Sequence, residues 1–258
     1  MEIFIGIIIP FIGTMLGVSL VLFMKDKMNN KIQKALLGFA SGVMIAASIW
    51  SLIIPAINIA SNLGRLAFLP ASIGFLLGIG FLLVLDIIIP HLHVNSAKPE
   101  GIRSNFKRQT MLVFSVTLHN IPEGLAVGVA LAGAYYSSEI LTMMGAIALS
   151  IGIGIQNFPE GAIISLPLRA NGESKLKAFN VGFLSAIVEP VFALLAFVLT
   201  KYINPILPYV LSFAAGAMIY VVVEDLIPST KEDEHSNFST ICLALGFVIM
   251  MVLDVALG

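Results

Sequence analysis

Two six-residue runs carry the side chains best suited to chemistry: His119-Asn120-Ile121-Pro122-Glu123-Gly124 and Gln156-Asn157-Phe158-Pro159-Glu160-Gly161. Each lies inside a long apolar stretch, where a carboxylate or an imidazole is expensive to keep. In each, a polar side chain stands four residues before the glutamate, so the two share one face of a helix. A proline immediately precedes each glutamate. Pro122 cannot donate to the carbonyl of Leu118, nor Pro159 to that of Ile155, which predicts a kink beside each polar cluster. An imidazole nitrogen, amide oxygens and carboxylates on two matched helices form a ligand set for a metal cation. With no thiolate among them, they suit divalent zinc, iron, manganese or cadmium better than monovalent copper.

The distribution of charge points the same way. Asp86, Glu123, Glu160, Glu189, Glu224, Asp225 and Asp254 lie in or near the ends of apolar runs, and no lysine or arginine lies inside one. Unpaired carboxylates in hydrocarbon must take up a proton or find a partner. A cation from solution, or protons, would neutralise them. Glu189, followed by Pro190, offers a third carboxylate to the twin motifs, enough to balance more than one divalent ion. The competing account is that His119 and the amides only tie helices together by hydrogen bonds. A duplicated motif with two buried glutamates weighs against it.

The elements that must position these residues are membrane helices. The chain has 258 residues, of which 58% are hydrophobic and only 11% charged, and its mean hydropathy is +1.00. Soluble domains carry roughly 25% charged residues. The expected fold is an all-α integral membrane protein, one domain over 1–258, with eight spans at about 3–24, 35–58, 66–90, 110–134, 140–166, 177–200, 205–228 and 239–257. The first run opens Met1-Glu2 without a basic leader and meets Lys25 and Lys27 at its far end, as a retained span does. Cys242 is the only cysteine, which excludes an intrachain disulfide and a cysteine-based cluster. A net charge of −1 offers no footprint for nucleic acid. No Walker-type phosphate loop occurs, so the chain does not itself hydrolyse nucleotide.

Basic residues give the orientation. Lys25, Lys27, Lys31 and Lys34, then Lys98, Arg103, Lys107 and Arg108, then Arg169, Lys175 and Lys177, then Lys231 fall in the loops after spans 1, 3, 5 and 7. Only Arg65 and Lys201 fall on the other side. The positive-inside rule therefore puts those four loops in the cytoplasm of a cell (plasma or inner) membrane, with both termini outside. Short matches add an inverted repeat. Phe39–Ile45 resembles Phe213–Ile219, and Val84-Leu85-Asp86 resembles Val252-Leu253-Asp254. The pattern is three spans, two central spans and three inverted spans, an arrangement that places a transport site near mid-membrane. A released ion would leave past Asp86, His91, His93, Glu224 and Asp225. Small residues around both motifs let helices approach closely, and they permit a homodimer.

The His-Asn-x-Pro-Glu-Gly run, its partner, Glu189-Pro190 and the eight spans resemble the ZIP (Zrt-/Irt-like protein) family of divalent-metal transporters over essentially the whole chain. Gln156, where that family often has histidine, resembles its prokaryotic GufA-type branch. The resemblance implies no enzyme activity and no catalytic cofactor, with zinc or a related metal as transported substrate, moved into the cytoplasm through a binuclear site between spans 4, 5 and 6. It implies that His119, Glu123, Gln156 and Glu160 hold one ion. Asn120, Glu123, Asn157, Glu160 and Glu189 would hold the second. An intramembrane zinc-dependent hydrolase is the alternative from another class, against which stands the absence of a His-Glu-x-x-His motif. A proton-coupled sodium or calcium carrier would leave His119 without a purpose.

Overall fold

The structure is a computed structural model that describes residues 1–23, 29–92, 99–106, 108–136, 140–170, 172–202, 206–230 and 237–257, with the side chains at 108, 109 and 112 left aside. Helices dominate it, because a helix satisfies its own backbone polar groups where lipid offers none. They are α1 (Glu2–Phe23), α2 (Asn30–Ala47), α3 (Ile54–Ile59), α4 (Phe68–Ile88), α5 (Arg108–Tyr136), α6 (Met143–Ala170), α7 (Lys175–Ala186), α8 (Val188–Thr200), α9 (Leu207–Val221), α10 (Ile227–Ser229) and α11 (Phe238–Leu257). Local signals fix several boundaries. The Asn29 side chain accepts the backbone N–H of Lys31 at 2.8 Å to start α2. Gly64, at φ +58°, turns the chain between α3 and α4.

Among the described residues, seven stretches are long and apolar enough to cross a membrane: Glu2–Phe23, Asn30–Ile59, Phe68–Ile88, Met143–Ala170, Lys175–Thr200, Leu207–Ser229 and Phe238–Leu257. The seven match seven of the eight expected spans. The eighth, α5, has 29 residues and carries the buried polar residues His119, Asn120 and Glu123. Its neighbours explain why such a helix is tolerated. It packs against α6, α7, α8 and α9, and Ala126 to Ala132 are almost wholly buried, so protein rather than lipid surrounds it.

Prolines lie both within continuous helices and beside interruptions. Both α5 and α6 continue as single helices through Pro122 and Pro159. The sixth span instead breaks at Ile187, so that Glu189 lies in the first turn of α8 just before Pro190. The second and seventh spans each contain a π turn, Ser48–Ile53 and Val222–Leu226, closed by the N–H of Ile54 on the Ile49 carbonyl and of Ile227 on Val222. A proline, Pro55 or Pro228, follows each. Setting Phe39 on Phe213 sets Ser48 on Val222, so both widenings begin at the same place in the two matched segments. Such bulges recur at functional sites.

Four close pairs carry the packing: α1 with α6, α2 with α11, α4 with α9 and α5 with α8. Glycine sets each contact. A Cβ at Gly17 would overlap the Phe158 carbonyl, one at Gly42 that of Leu243, one at Gly78 that of Phe213 and one at Gly128 that of Ala193. The matched segments make matched contacts: Gly246 faces the Phe39 carbonyl as Gly78 faces that of Phe213. In lipid, where burial of apolar surface contributes little between helices, such backbone approach supplies the attraction. Replacing Gly42 by alanine is expected to force α2 from α11 and lower stability by about 1–3 kcal/mol. Gly80→Ala, at a glycine with open space around it, is expected to leave stability unchanged or slightly raised. Thermal unfolding of the two variants in detergent measures the difference.

Candidate metal centre

Helix α5 presents His119, Asn120 and Glu123 toward Gln156, Asn157 and Glu160 of α6, and α8 adds Glu189 from the side. All seven are buried. The Gln156 amide donates to Glu123 Oε1 at 2.8 Å and also to the Asn157 side-chain oxygen. Asn157 Nδ2 donates to Glu189 Oε2 at 2.9 Å. Asn120 Nδ2 donates to the Ser185 carbonyl at 2.8 Å, just ahead of the break at Ile187. Both amide hydrogens of Gln156 and one each of Asn120 and Asn157 are thereby committed to fixed partners. Because both N–H groups of Gln156 are used, its oxygen must point elsewhere.

Four buried oxygens are left over. Asn120 Oδ1, Glu123 Oε2, Gln156 Oε1 and Glu160 Oε1 have no hydrogen-bond donor among the described residues. An unsatisfied buried acceptor costs about 1–3 kcal/mol, and more when charged. To gather four from four side chains on two helices is poor design for a structural joint. It suits a site whose oxygens face a cation. No lysine or arginine among the described residues pairs with Glu123, Glu160 or Glu189, so the negative charge expected from the sequence stands without an internal counter-charge.

The π turn Val222–Leu226 contributes one more acid. Asp225 Oδ2 lies 3.4 Å from His119 Nδ1. His119, Glu160 and Asp225 line a cavity of about 20 Å³ with Leu37, Val116 and Ser229. On its other side His119 lines a second cavity, of about 10 Å³, with Asp86, His91, Tyr220 and Glu224. The residues expected on an exit route thus lie around His119, apart from His93, which falls outside the described residues. His91 Nε2 is 3.0 Å from Asp86 Oδ1, and its backbone pairs with that of Glu100 in both directions. Asp86, His91 and Glu100 bring ligand atoms within 4.8 Å of one another. Asp254 is elsewhere: it accepts a 2.5 Å hydrogen bond from Ser51 in a separate pocket with Trp50 and Thr142.

Two residues at these places escaped sequence reasoning. Glu100 stands in a polar loop, where an acid carries no signal of its own. Thr14 of α1 reads as an ordinary membrane-helix hydroxyl, yet it donates to Glu189 Oε1 at 2.6 Å.

A sequence profile described as ZIP Zinc transporter matches residues 95–254, the stretch that contains both motifs, Glu189 and Asp225. The chain belongs to the ZIP family. A zinc transporter, ZIP11, from Xenopus tropicalis is 36% identical over 93% of this chain and 93% of its own. The zinc transporter GufA of Myxococcus xanthus is 34% identical over 95% of this chain and 96% of its own. The zinc transporter ZIPB of Bordetella bronchiseptica is 36% identical over 96% of this chain and 79% of its own. This agrees with the GufA-type branch suggested by Gln156. Within this ZIP chain, Gln156→His would replace a neutral amide oxygen by an imidazole nitrogen. It is expected to tighten zinc binding on the order of tenfold at neutral pH. The gain should fade as acid protonates the new ring. Calorimetric titration in detergent at several pH values measures both.

Proposed function

We propose that this ZIP chain is a divalent metal transporter that carries zinc, and within the same donor chemistry iron, manganese or cadmium, into the cytoplasm. The observation that carries the reading is the set of four buried, donorless oxygens of Asn120, Glu123, Gln156 and Glu160 on the facing motifs of α5 and α6. Two ions are held in the site. His119, Glu123, Gln156 and Glu160 bind one; Asn120, Glu123, Asn157, Glu160 and Glu189 bind the other, with both central glutamates bridging. The hydrogen bonds favour loading of the first ion before the second. Gln156, Glu123 and Glu160 already offer an oxygen without a donor, whereas Asn157 and Glu189 are bonded to each other.

Transport proceeds by alternating access in an eight-span, three-plus-two-plus-three arrangement within the cell membrane. The helix pairing supports it. Exchanging the two halves of the chain turns the α1–α6 pair into α8–α5 and the α2–α11 pair into α9–α4, as an inverted repeat requires. The basic loops face the cytoplasm, and the ion leaves past His119 and Asp225 toward Asp86, His91 and Glu224. Relatives named as zinc transporters, together with the missing His-Glu-x-x-His motif, set the hydrolase alternative aside.

Uptake into proteoliposomes tests the reading. The parent protein should take up Zn²⁺ in preference to Ca²⁺, and uptake should weaken in acid, because His119 and the carboxylates ligate only when deprotonated. Glu123→Ala and Glu160→Ala should each lower zinc uptake by tenfold or more, on the order of losing a charged ligand. Uptake by both variants at the parent's rate would overturn the site assignment. Comparison with and without a pH gradient separates metal transport alone from proton-coupled movement.

A further inference from the structure

The geometry points to Thr14 of α1 as a positioning residue that fixes Glu189 and thereby sets the affinity of the second ion. The inference rests on the two-ion reading above and adds a fourth helix to the site.

Thr14 is 1% exposed, near the middle of a helix that carries no motif. A threonine in a membrane helix ordinarily returns its hydroxyl hydrogen to the carbonyl four residues back. That acceptor, Pro10, is 3.3 Å away, whereas Glu189 Oε1 is 2.6 Å away, in the range of a hydroxyl bonded to a carboxylate. A hydroxyl has one hydrogen, and the shorter contact claims it. The Asn157 amide holds the other oxygen of Glu189. Glu189 is therefore the one carboxylate of the three with a donor on each oxygen, while Glu123 and Glu160 each keep an oxygen without one. Two glutamates are left able to close on an ion, and the third is clamped as a fixed wall.

The partnership has a counterpart in the helix packing. The glycine after each motif glutamate meets the backbone of a partner helix: Gly124 meets the carbonyl of Glu189, and Gly161 meets the carbonyl of Thr14. Thr14 thus occupies against α6 the place that Glu189 occupies against α5. The two equivalent positions face each other across the site. Carboxylates at both would set two negative charges within hydrogen-bond distance, where they could not both ionise. A hydroxyl at one of them turns repulsion into a donor–acceptor pair. This also accounts for the single extra carboxylate in a site otherwise built from a duplicated motif.

The test combines the single variants Thr14→Val, Thr14→Ser, Glu189→Gln and Glu123→Ala and the double variant Thr14→Val/Glu189→Gln, all in detergent, with zinc titration and thermal unfolding. Thr14→Val removes the hydroxyl and keeps the bulk of the side chain. It should weaken the second of two zinc-binding steps by about tenfold, the order of effect of removing a partner that orients a ligand, and leave the first step unchanged. Thr14→Ser restores a hydroxyl and should restore the second step. In the Thr14→Val/Glu189→Gln double variant the two losses should not add, since both act through one interaction. Parent-like second-step binding by Thr14→Val overturns the proposal, as does equal weakening by Ser and Val, which would assign the effect to packing. Loss of both binding steps in Thr14→Val with parent-like unfolding also overturns it. A parent-like titration by Glu189→Gln together with Glu123→Ala would instead sink the two-ion reading itself.

Discussion

Everything in this molecule depends on the cost of burying oxygen without a donor. Lipid-embedded helices satisfy their backbones and leave side-chain polar groups to find partners among themselves. Here both amide hydrogens of Gln156 and one each of Asn120 and Asn157 are committed to a carbonyl, a carboxylate or another side chain. What remains is a surplus of acceptors around Glu123 and Glu160 with no lysine or arginine among the described residues to meet it. On the reading proposed above, a cation offered from outside turns that deficit into binding energy.

The deficit is sustained by tight helix packing. Glycine after each motif glutamate brings a partner backbone against the very turn that carries the ligands, so the motif supplies both chemistry and its own support. Gly124 seats α8, and with it Glu189; Gly161 seats α1, and with it Thr14. The break at Ile187 then frees Glu189 to sit in the first turn of α8, where the helix dipole favours negative charge. Polar α5 is tolerated at the centre because other helices cover it.

Much of this was legible from residue types and spacing. The twin motifs, Glu189, the lack of an internal cation and the matching of Phe39–Ile45 with Phe213–Ile219 all follow from charge, hydropathy and local identity. The places that were not legible share a cause. Pro122 and Pro159 lie inside helices that continue past them, because one lost hydrogen bond is tolerated within a packed bundle. The π turns at Ser48 and Val222 each need only a locally wider backbone, which leaves no mark on hydropathy. Thr14 and Glu100 acquire meaning only from partners distant in sequence, and a hydroxyl or a loop carboxylate announces nothing by itself.

The two cavities that meet at His119 are very small, about 20 Å³ and about 10 Å³, each close to the room taken by a single water. A hexahydrated ion does not fit through either. On the transport reading proposed above, an ion that moves between Glu160 and Asp86 in this conformation would travel stripped, handed from one donor to the next, with ligand exchange at the metal setting its speed. On that reading magnesium, which gives up water reluctantly, would pass slowly at the imidazole even where the carboxylates bind it.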